Sequence, residues 1–175
     1  MKTLKSEVLH KNPWWEYKHD TYELPSGDVG NYYYAETRGV SMVIPRLANG
    51  TFFLVKQFRY LTQRESWEFP GGGLKFGQTP EGAARAELQE EAGLEAKSIV
   101  LLGEIEPSNG FIKDRTYLWL AEIEANTLRN PDESEFFSDF KAVTVSELDR
   151  MVAAGEIWDG QSLSAWCLVK AKGLV

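Results

Sequence analysis

Apolar residues along this chain alternate between two spacings. Two β-rich runs, Val40-Ser41-Met42-Val43-Ile44-Pro45 and Thr51-Phe52-Phe53-Leu54-Val55, flank Ala48-Asn49-Gly50, a hairpin signal. Residues 99–102 and 115–123 read as further strands around the turn Pro107-Ser108-Asn109-Gly110, and residues 141–145 as a short one. Near the start, residues 14–24 and 31–36 read as two strands about Pro25-Ser26-Gly27-Asp28. A lone hairpin is marginal in water, so this one must pack on something. Residues 83–92 form a good helix by propensity. Thr79 supplies a capping hydroxyl, Pro80 suits the first turn and Gly93 gives the stop. Ser146-Glu147-Leu148-Asp149 resembles a capping box for a helix ending at Gly155, and Ser162 is expected to cap a last helix running to about Lys172. The pattern predicts one domain over residues 39–175 with an N-terminal hairpin, residues 1–38, as an appendage.

Composition narrows the function classes. A length of 175 residues with 43% hydrophobic content and six Trp fits one domain with a substantial core. Net charge of −7 argues against bulk nucleic acid as a partner but permits a small anionic substrate whose charge a metal meets. The single Cys167 excludes an internal disulfide and fits a reducing compartment, so a cytoplasmic protein is expected. The start lacks an apolar signal core and no stretch approaches a membrane span, so no membrane association is expected. His10 and His19 both precede the first core strand, which argues against a histidine base and leaves acid–base work to carboxylates. The aromatics of residues 12–40, among them Trp14, Trp15, Tyr17 and Tyr33, either pack the hairpin or offer a face to a nucleobase or a second subunit.

The residues that carry chemistry lie in Pro70–Leu94, written PGGGLKFGQTPEGAARAELQEEAGL. Glu87, Glu90 and Glu91 fall at i, i+3 and i+4, within an arc of roughly 100° on an α-helix. Like charges at that spacing cost about 0.2–0.5 kcal/mol per pair. Glu91 also borders the stripe formed by Ala84 and Leu88, and a carboxylate at a core edge needs a cation. The residues permit two readings: a solvated acidic face, or hard oxygen ligands for Mg²⁺ or Mn²⁺. The glycine run ahead of the helix favours the second, since glycine lets backbone approach a ligand closely.

Gly72, Glu87, Leu88, Glu90, Glu91, Gly93 and Leu94 stand at the spacing of the Nudix box, Gly-x5-Glu-x7-Arg-Glu-U-x-Glu-Glu-x-Gly-U with U aliphatic, which this stretch resembles. Two positions depart from the pattern: Gln78 replaces its first Glu and Ala86 its Arg. Those two charges can pair in the family, and here both are absent together. The resemblance implies an α/β fold, a Nudix-type α/β/α sandwich on a mixed sheet. It implies Mg²⁺ (or Mn²⁺) held by Glu87, Glu90 and Glu91 with the backbone carbonyl of Gly71, and hydrolysis of a nucleoside diphosphate linked to a second group. Gln57-Phe58-Arg59 and the Glu68 ahead of Pro70 resemble the ADP-ribose and nucleotide-sugar branch, where the corresponding Arg and Glu contact substrate. A homodimer built partly on the N-terminal aromatics is expected for the same branch. Rival substrates are nucleoside triphosphates or RNA 5′ ends, and a rival class is a non-catalytic nucleotide-binding module.

Residues 126–139 form a long polar loop containing Glu133 and Glu135. Loops of that length in compact domains are often functional. With the three helix glutamates committed as ligands, Glu133 or Glu135 is the expected base, Glu135 being favoured by its position next to Phe136-Phe137.

Overall fold

The computed structural model describes residues 1–126 and 137–175. The expected hairpin is the inner part of a larger element. Strands β2 (Trp15–Glu23) and β3 (Val29–Thr37) pair antiparallel as the sequence predicts, and an unforeseen strand β1 (Lys2–Lys11) pairs with β2 on the outer side. Its apolar residues Leu4, Val8 and Leu9 stay exposed, so β1 has no buried stripe to betray it. Tyr33 stacks on His19 with ring centroids 4.4 Å apart and on Tyr17 at 6.3 Å, which ties β2 to β3 through side chains. A fourth strand comes from the other end of the fold.

The main sheet is mixed. Strand β4 (Val40–Arg46) leads to β5 (Phe52–Arg59), which pairs with β6 (Arg64–Glu68); the short β7 (Gly71–Gly73) returns to pair with β4. After the glutamate-bearing helix come β8 (Leu94–Ile105), β9 (Ile112–Lys113), β10 (Thr116–Asn126) and β11 (Phe137–Val143). Among the described residues the order is β11-β5-β4-β10-β8, with β6 and β7 added on β5 and β4. β10 runs parallel to β4 and antiparallel to β8. β9 leaves this body to lie parallel against β3, completing a four-stranded sheet β1-β2-β3-β9.

Helices cover both faces of β4, so its side chains are buried on both sides, as a central strand of a layered fold requires. Val43 faces α1 (Pro80–Glu87) and packs with Ala84, Leu88, Ala92 and Trp119. Its neighbours Met42 and Ile44 point the other way, toward α2 (Val145–Ala153) and α3 (Gly160–Ala171), where Phe52, Leu118, Leu148, Met151 and Trp166 complete the larger core. This is the α/β/α sandwich on a mixed sheet that was expected.

Helix starts show where capping signals compete. Thr79 caps α1 through its hydroxyl, which accepts from Gly82 N–H at 3.1 Å. α2 begins two residues before the expected Ser146: Thr144 accepts from Glu147 N–H, the better capping-box spacing. α3 is capped by Asp159 rather than Ser162. The Ser162 hydroxyl instead accepts from Phe69 N–H at 3.1 Å, fastening α3 to the segment that enters the glycine run.

Candidate active site

Strand β7 is made only of glycine, and its packing explains why. Gly71 and Gly72 lie against Met42 and Ser41 of β4, and Pro70 carbonyl accepts from Val43 N–H at 2.8 Å. On the opposite side stands Glu87. A Cβ built on Gly72 would fall 2.5 Å from Glu87 Oε1, so only glycine leaves room for that carboxylate. Gly71 N–H donates to Glu91 Oε2 at 3.0 Å. The helix carboxylates therefore bear directly on the glycine backbone.

The helix does not stay α-helical to Gly93. Residues Leu88–Ala92 form a turn of π-helix, and Gly93, at φ +65°, ends it in the left-handed conformation. The wider turn keeps Leu88 and Ala92 in the core while Glu91 reaches Gly71. It also separates the three glutamates by environment: Glu87 and Glu91 are 6% and 2% exposed, while the Glu90 side chain is 30% exposed and lies 3.6 Å from Lys75 Nζ.

In front of this backbone lies a cleft of about 520 Å³. One wall is Gly72, Gly73, Lys75 and Phe76 with Glu87 and Glu90; the other is Trp14, Trp15, Thr37 and Arg38 from the N-terminal sheet, with Asp114 beside them. The two tryptophans are presented by a side-chain turn. Asn12 Oδ1 accepts from both Trp14 and Trp15 N–H at 2.9 Å, and Arg38 Nη1 donates to Pro13 carbonyl at 3.0 Å. The cleft thus sets carboxylates and glycine backbone opposite exposed indoles, a shape and chemistry fit for a ligand with an anionic middle and a flat ring.

Arg59 ends β5 opposite Arg64, and Glu68 ends β6 opposite Val55; the long Arg59 side chain reaches back along the ladder to Glu68 in a two-point ion pair, with Nε 2.9 Å from Oε1 and a second contact between Nη2 and Oε2. Glu68 is 1% exposed, whereas the Arg59 side chain keeps 40% of its surface. Burial pushes the Glu68 carboxyl above the ordinary carboxylate range, and Arg59 only partly offsets that. Arg59 is itself the accessible member of the pair.

Glu133 and Glu135, the expected bases, lie outside the described residues. Among the described residues, no three His, Cys, Asp or Glu side chains are already gathered closely enough to hold an ion. The donor chemistry nonetheless suits a hard divalent cation: carboxylates of Glu87, Glu90 and Glu91 beside a glycine strand free of side chains, with Gly72 leaving the space that Glu87 occupies. Three cleft residues, Arg38, Lys75 and Asp114, had not been singled out. Lys75 could have been noticed as the cation inside the glycine loop; Arg38 and Asp114 carry no local signal and meet through the fold. Among the described residues no helix is long and apolar enough to cross a membrane.

Comparison with known proteins agrees with the sequence and the fold. The NUDIX domain model matches residues 35–166. The chain is 30% identical over 167 residues to an ADP-ribose pyrophosphatase of Bacillus subtilis (strain 168), covering 94% of this chain and 89% of that one. It is 27% identical over 175 residues to an ADP-ribose pyrophosphatase of Mycobacterium tuberculosis, covering 97% and 83%. A crystal structure of an ADP compounds hydrolase superposes with a TM-score of 0.81 at 18% identity, over 99% of this chain and 96% of that one, which extends the shared fold to the N-terminal sheet. The chain belongs to the Nudix family, in its ADP-ribose pyrophosphatase branch, and is a Nudix pyrophosphohydrolase.

Proposed function

We propose that the enzyme hydrolyses the pyrophosphate bond of ADP-ribose or a closely similar nucleoside diphosphate sugar, releasing a nucleoside monophosphate and a sugar phosphate. The cleft carries this reading, because it unites Glu87 and Glu90 with the exposed indoles of Trp14 and Trp15 across a space sized for such a ligand. The ADP-ribose pyrophosphatases among its relatives support the same substrate class.

In this reading Glu87, Glu90 and Glu91, with the Gly71 carbonyl, hold Mg²⁺, for which Mn²⁺ substitutes. When bound, the ion neutralises pyrophosphate charge and makes water a stronger nucleophile near neutral pH. Trp14 and Trp15 hold the base by stacking, and Asn12 and Arg38 keep their turn in shape. Arg59, fixed by buried Glu68, offers its free guanidinium edge to substrate phosphate or ribose. Glu135 or Glu133 takes the proton of the water that attacks one phosphorus in line, and the other phosphate departs with the sugar or nucleoside it carries. Residues 39–175 form the hydrolase domain and residues 1–38 the extension that contributes substrate and subunit contacts. A homodimer in the cytoplasm is part of this reading, supported by exposed Tyr17, Tyr32 and Tyr33 on the N-terminal sheet and by the single cysteine.

The test is a product screen with Mg²⁺ over ADP-ribose, GDP-mannose, UDP-glucose, dinucleoside polyphosphates and nucleoside triphosphates. AMP and ribose 5-phosphate from ADP-ribose, at the highest kcat/KM of the set, is the expected result. Preference for a triphosphate would overturn the substrate class, and absence of any product would favour a binding module. Glu90→Gln and Glu91→Gln are each expected to lose orders of magnitude in kcat with the fold intact; wild-type turnover in either would remove that glutamate from the site.

A further inference from the structure

The loop between β7 and α1 carries a cation that the proposed reaction leaves without a part. Lys75 Nζ lies 3.6 Å from Glu90 Oε2, with side-chain exposures of 63% and 30%. The loop is built to keep it there. Gln78 Oε1 accepts from Lys75 N–H at 3.0 Å, Gln78 N–H donates to Lys75 carbonyl at 3.1 Å, and Gly77, at φ +76°, closes the turn between them. Gln78 is thus bonded from both its backbone and its side chain to the residue that faces Glu90.

The helix supplies no second cation at this point among the described residues. An arginine at position 86 would neighbour Glu90 at i, i+4, but the residue is Ala86. Arg85 is taken up by Glu81 at 3.0 Å and by the Ala96 carbonyl at 3.3 Å. Among the described residues the cleft is lined by two cations, Lys75 and Arg38, and Arg38 is bonded to Pro13 on the far wall.

We propose that Lys75 changes partner during turnover: it neutralises Glu90 while the carboxylate has no metal, yields that carboxylate to the divalent ion, and then meets a phosphate of the substrate in the cleft. The inference rests on the reading of Glu90 as a metal ligand. An exposed ion pair at this separation is weak, so Lys75 would release the Glu90 carboxylate readily to a divalent cation. The Gln78 turn would keep the Lys75 backbone at the cleft wall, from which the freed ammonium could reach the negative charge of the substrate's diphosphate. Lys75 is a point charge on a flexible stem, suited to such an exchange in a way that a fork-shaped guanidinium is not. Gln78, which departs from the family's box, then acts as a positioning residue for the cation that stands in for the arginine absent from position 86.

The exchange predicts effects of opposite sign from one substitution. With Lys75→Gln, Mn²⁺ binding to the full-length protein without substrate, followed by the electron paramagnetic resonance of free Mn²⁺ at low salt, should tighten about two- to fivefold. KM for ADP-ribose at saturating metal should rise by a similar factor. Gln78→Ala keeps the charge and loosens the loop, so both changes should appear with the same signs and smaller size. Damage to the loop alone would weaken both. Lys172→Gln, at the end of α3, controls for net charge, and a matching tightening there would overturn the proposal. So would unchanged or weaker Mn²⁺ binding, or an unchanged KM, in Lys75→Gln. Glu90→Gln separates this from the reading beneath it: if that variant binds Mn²⁺ as the wild type does, Glu90 is not a ligand and both fall; if it weakens binding while Lys75→Gln changes nothing, only the exchange fails.

Discussion

A methyl group added at Gly72 would land 2.5 Å from Glu87 Oε1, 2.7 Å from its Cδ and 3.0 Å from Oε2. To restore ordinary contact at 3.4 Å the carboxylate must retreat by about 0.9 Å. Glu87 is 6% exposed, so it cannot simply swing into water. A displacement of about 1 Å in a catalytic group costs on the order of 10²-fold in rate. The fold should tolerate Gly72→Ala, because β7 is short and the backbone there needs no left-handed conformation; a loss within about 1 kcal/mol is expected. The measurements are kcat at saturating ADP-ribose and Mg²⁺, a thermal melt, and Mn²⁺ binding without substrate. The expected outcome is kcat down about 10²-fold, Mn²⁺ binding weakened and Tm shifted by only a few degrees. Undiminished turnover in a folded Gly72→Ala variant would refute the argument that the glycine exists to seat Glu87.

Arg59→Ala leaves Glu68 buried without its counter-charge, which should destabilise the protein by about 2 kcal/mol after allowance for the exposed part of the arginine, by urea denaturation. Since burial already raises the Glu68 pKa, the native state gains its proton first on acidification, and the stability gap to wild type should narrow as pH falls through that raised value; a constant gap would remove Glu68 charge as the cause. Glu36 behaves in the opposite sense: burial opposes ionisation, but Lys113 and Lys18 outweigh it and lower its pKa. Its contribution is present above pH 4.5 and is lost as pH falls through the lowered value, so Glu36→Gln should flatten the acid limb of the stability profile below 4.5 without changing its shape at neutral pH. Glu135→Gln or Glu133→Gln should lower kcat by about 10²–10⁴-fold while Mn²⁺ still binds, and normal turnover in both and in the double variant would put the base elsewhere. Light scattering at micromolar concentration should give a dimer mass, and a monomer would count against the subunit contact assigned to the N-terminal sheet.

Local signals were legible where the residue type has one use. Thr79, Pro80 and Gly93 frame the helix as their chemistry dictates, and the doubly apolar run of β4 marks the centre of the sandwich. The π-turn was not legible, because a change from i+4 to i+5 hydrogen bonding at Leu88–Ala92 leaves no trace in residue types that suit both. Strand β7 runs against propensity altogether: glycine is depleted in strands, and the approach of Glu87 explains why one stands at Gly72. Ser146 and Ser162 were reasonable caps, displaced by Thr144 and Asp159 because several capping residues crowd each helix start. Of the cleft, the glutamates and glycines announce themselves through fixed spacing. Arg38 and Asp114, far apart in the chain, come to the same cleft because β9 lies on β3 and β10 starts beside Val40 of β4.

That return has a consequence for how the walls of the cleft are held together. β9 pairs with β3 at Ala35 and Glu36, Tyr32 hydroxyl donates to Gly110 carbonyl at 2.5 Å, and Ala35 N–H donates to Phe111 carbonyl at 3.0 Å. The segment from 106 to 115 therefore ties the N-terminal sheet to the main sheet a second time, beside the direct passage from β3 to β4 through Arg38 and Gly39. Changing the length of the exposed turn 107–110 would strain that second tie, and with it the proposed seat of the base at Trp14 and Trp15, without touching a single residue of the Nudix box.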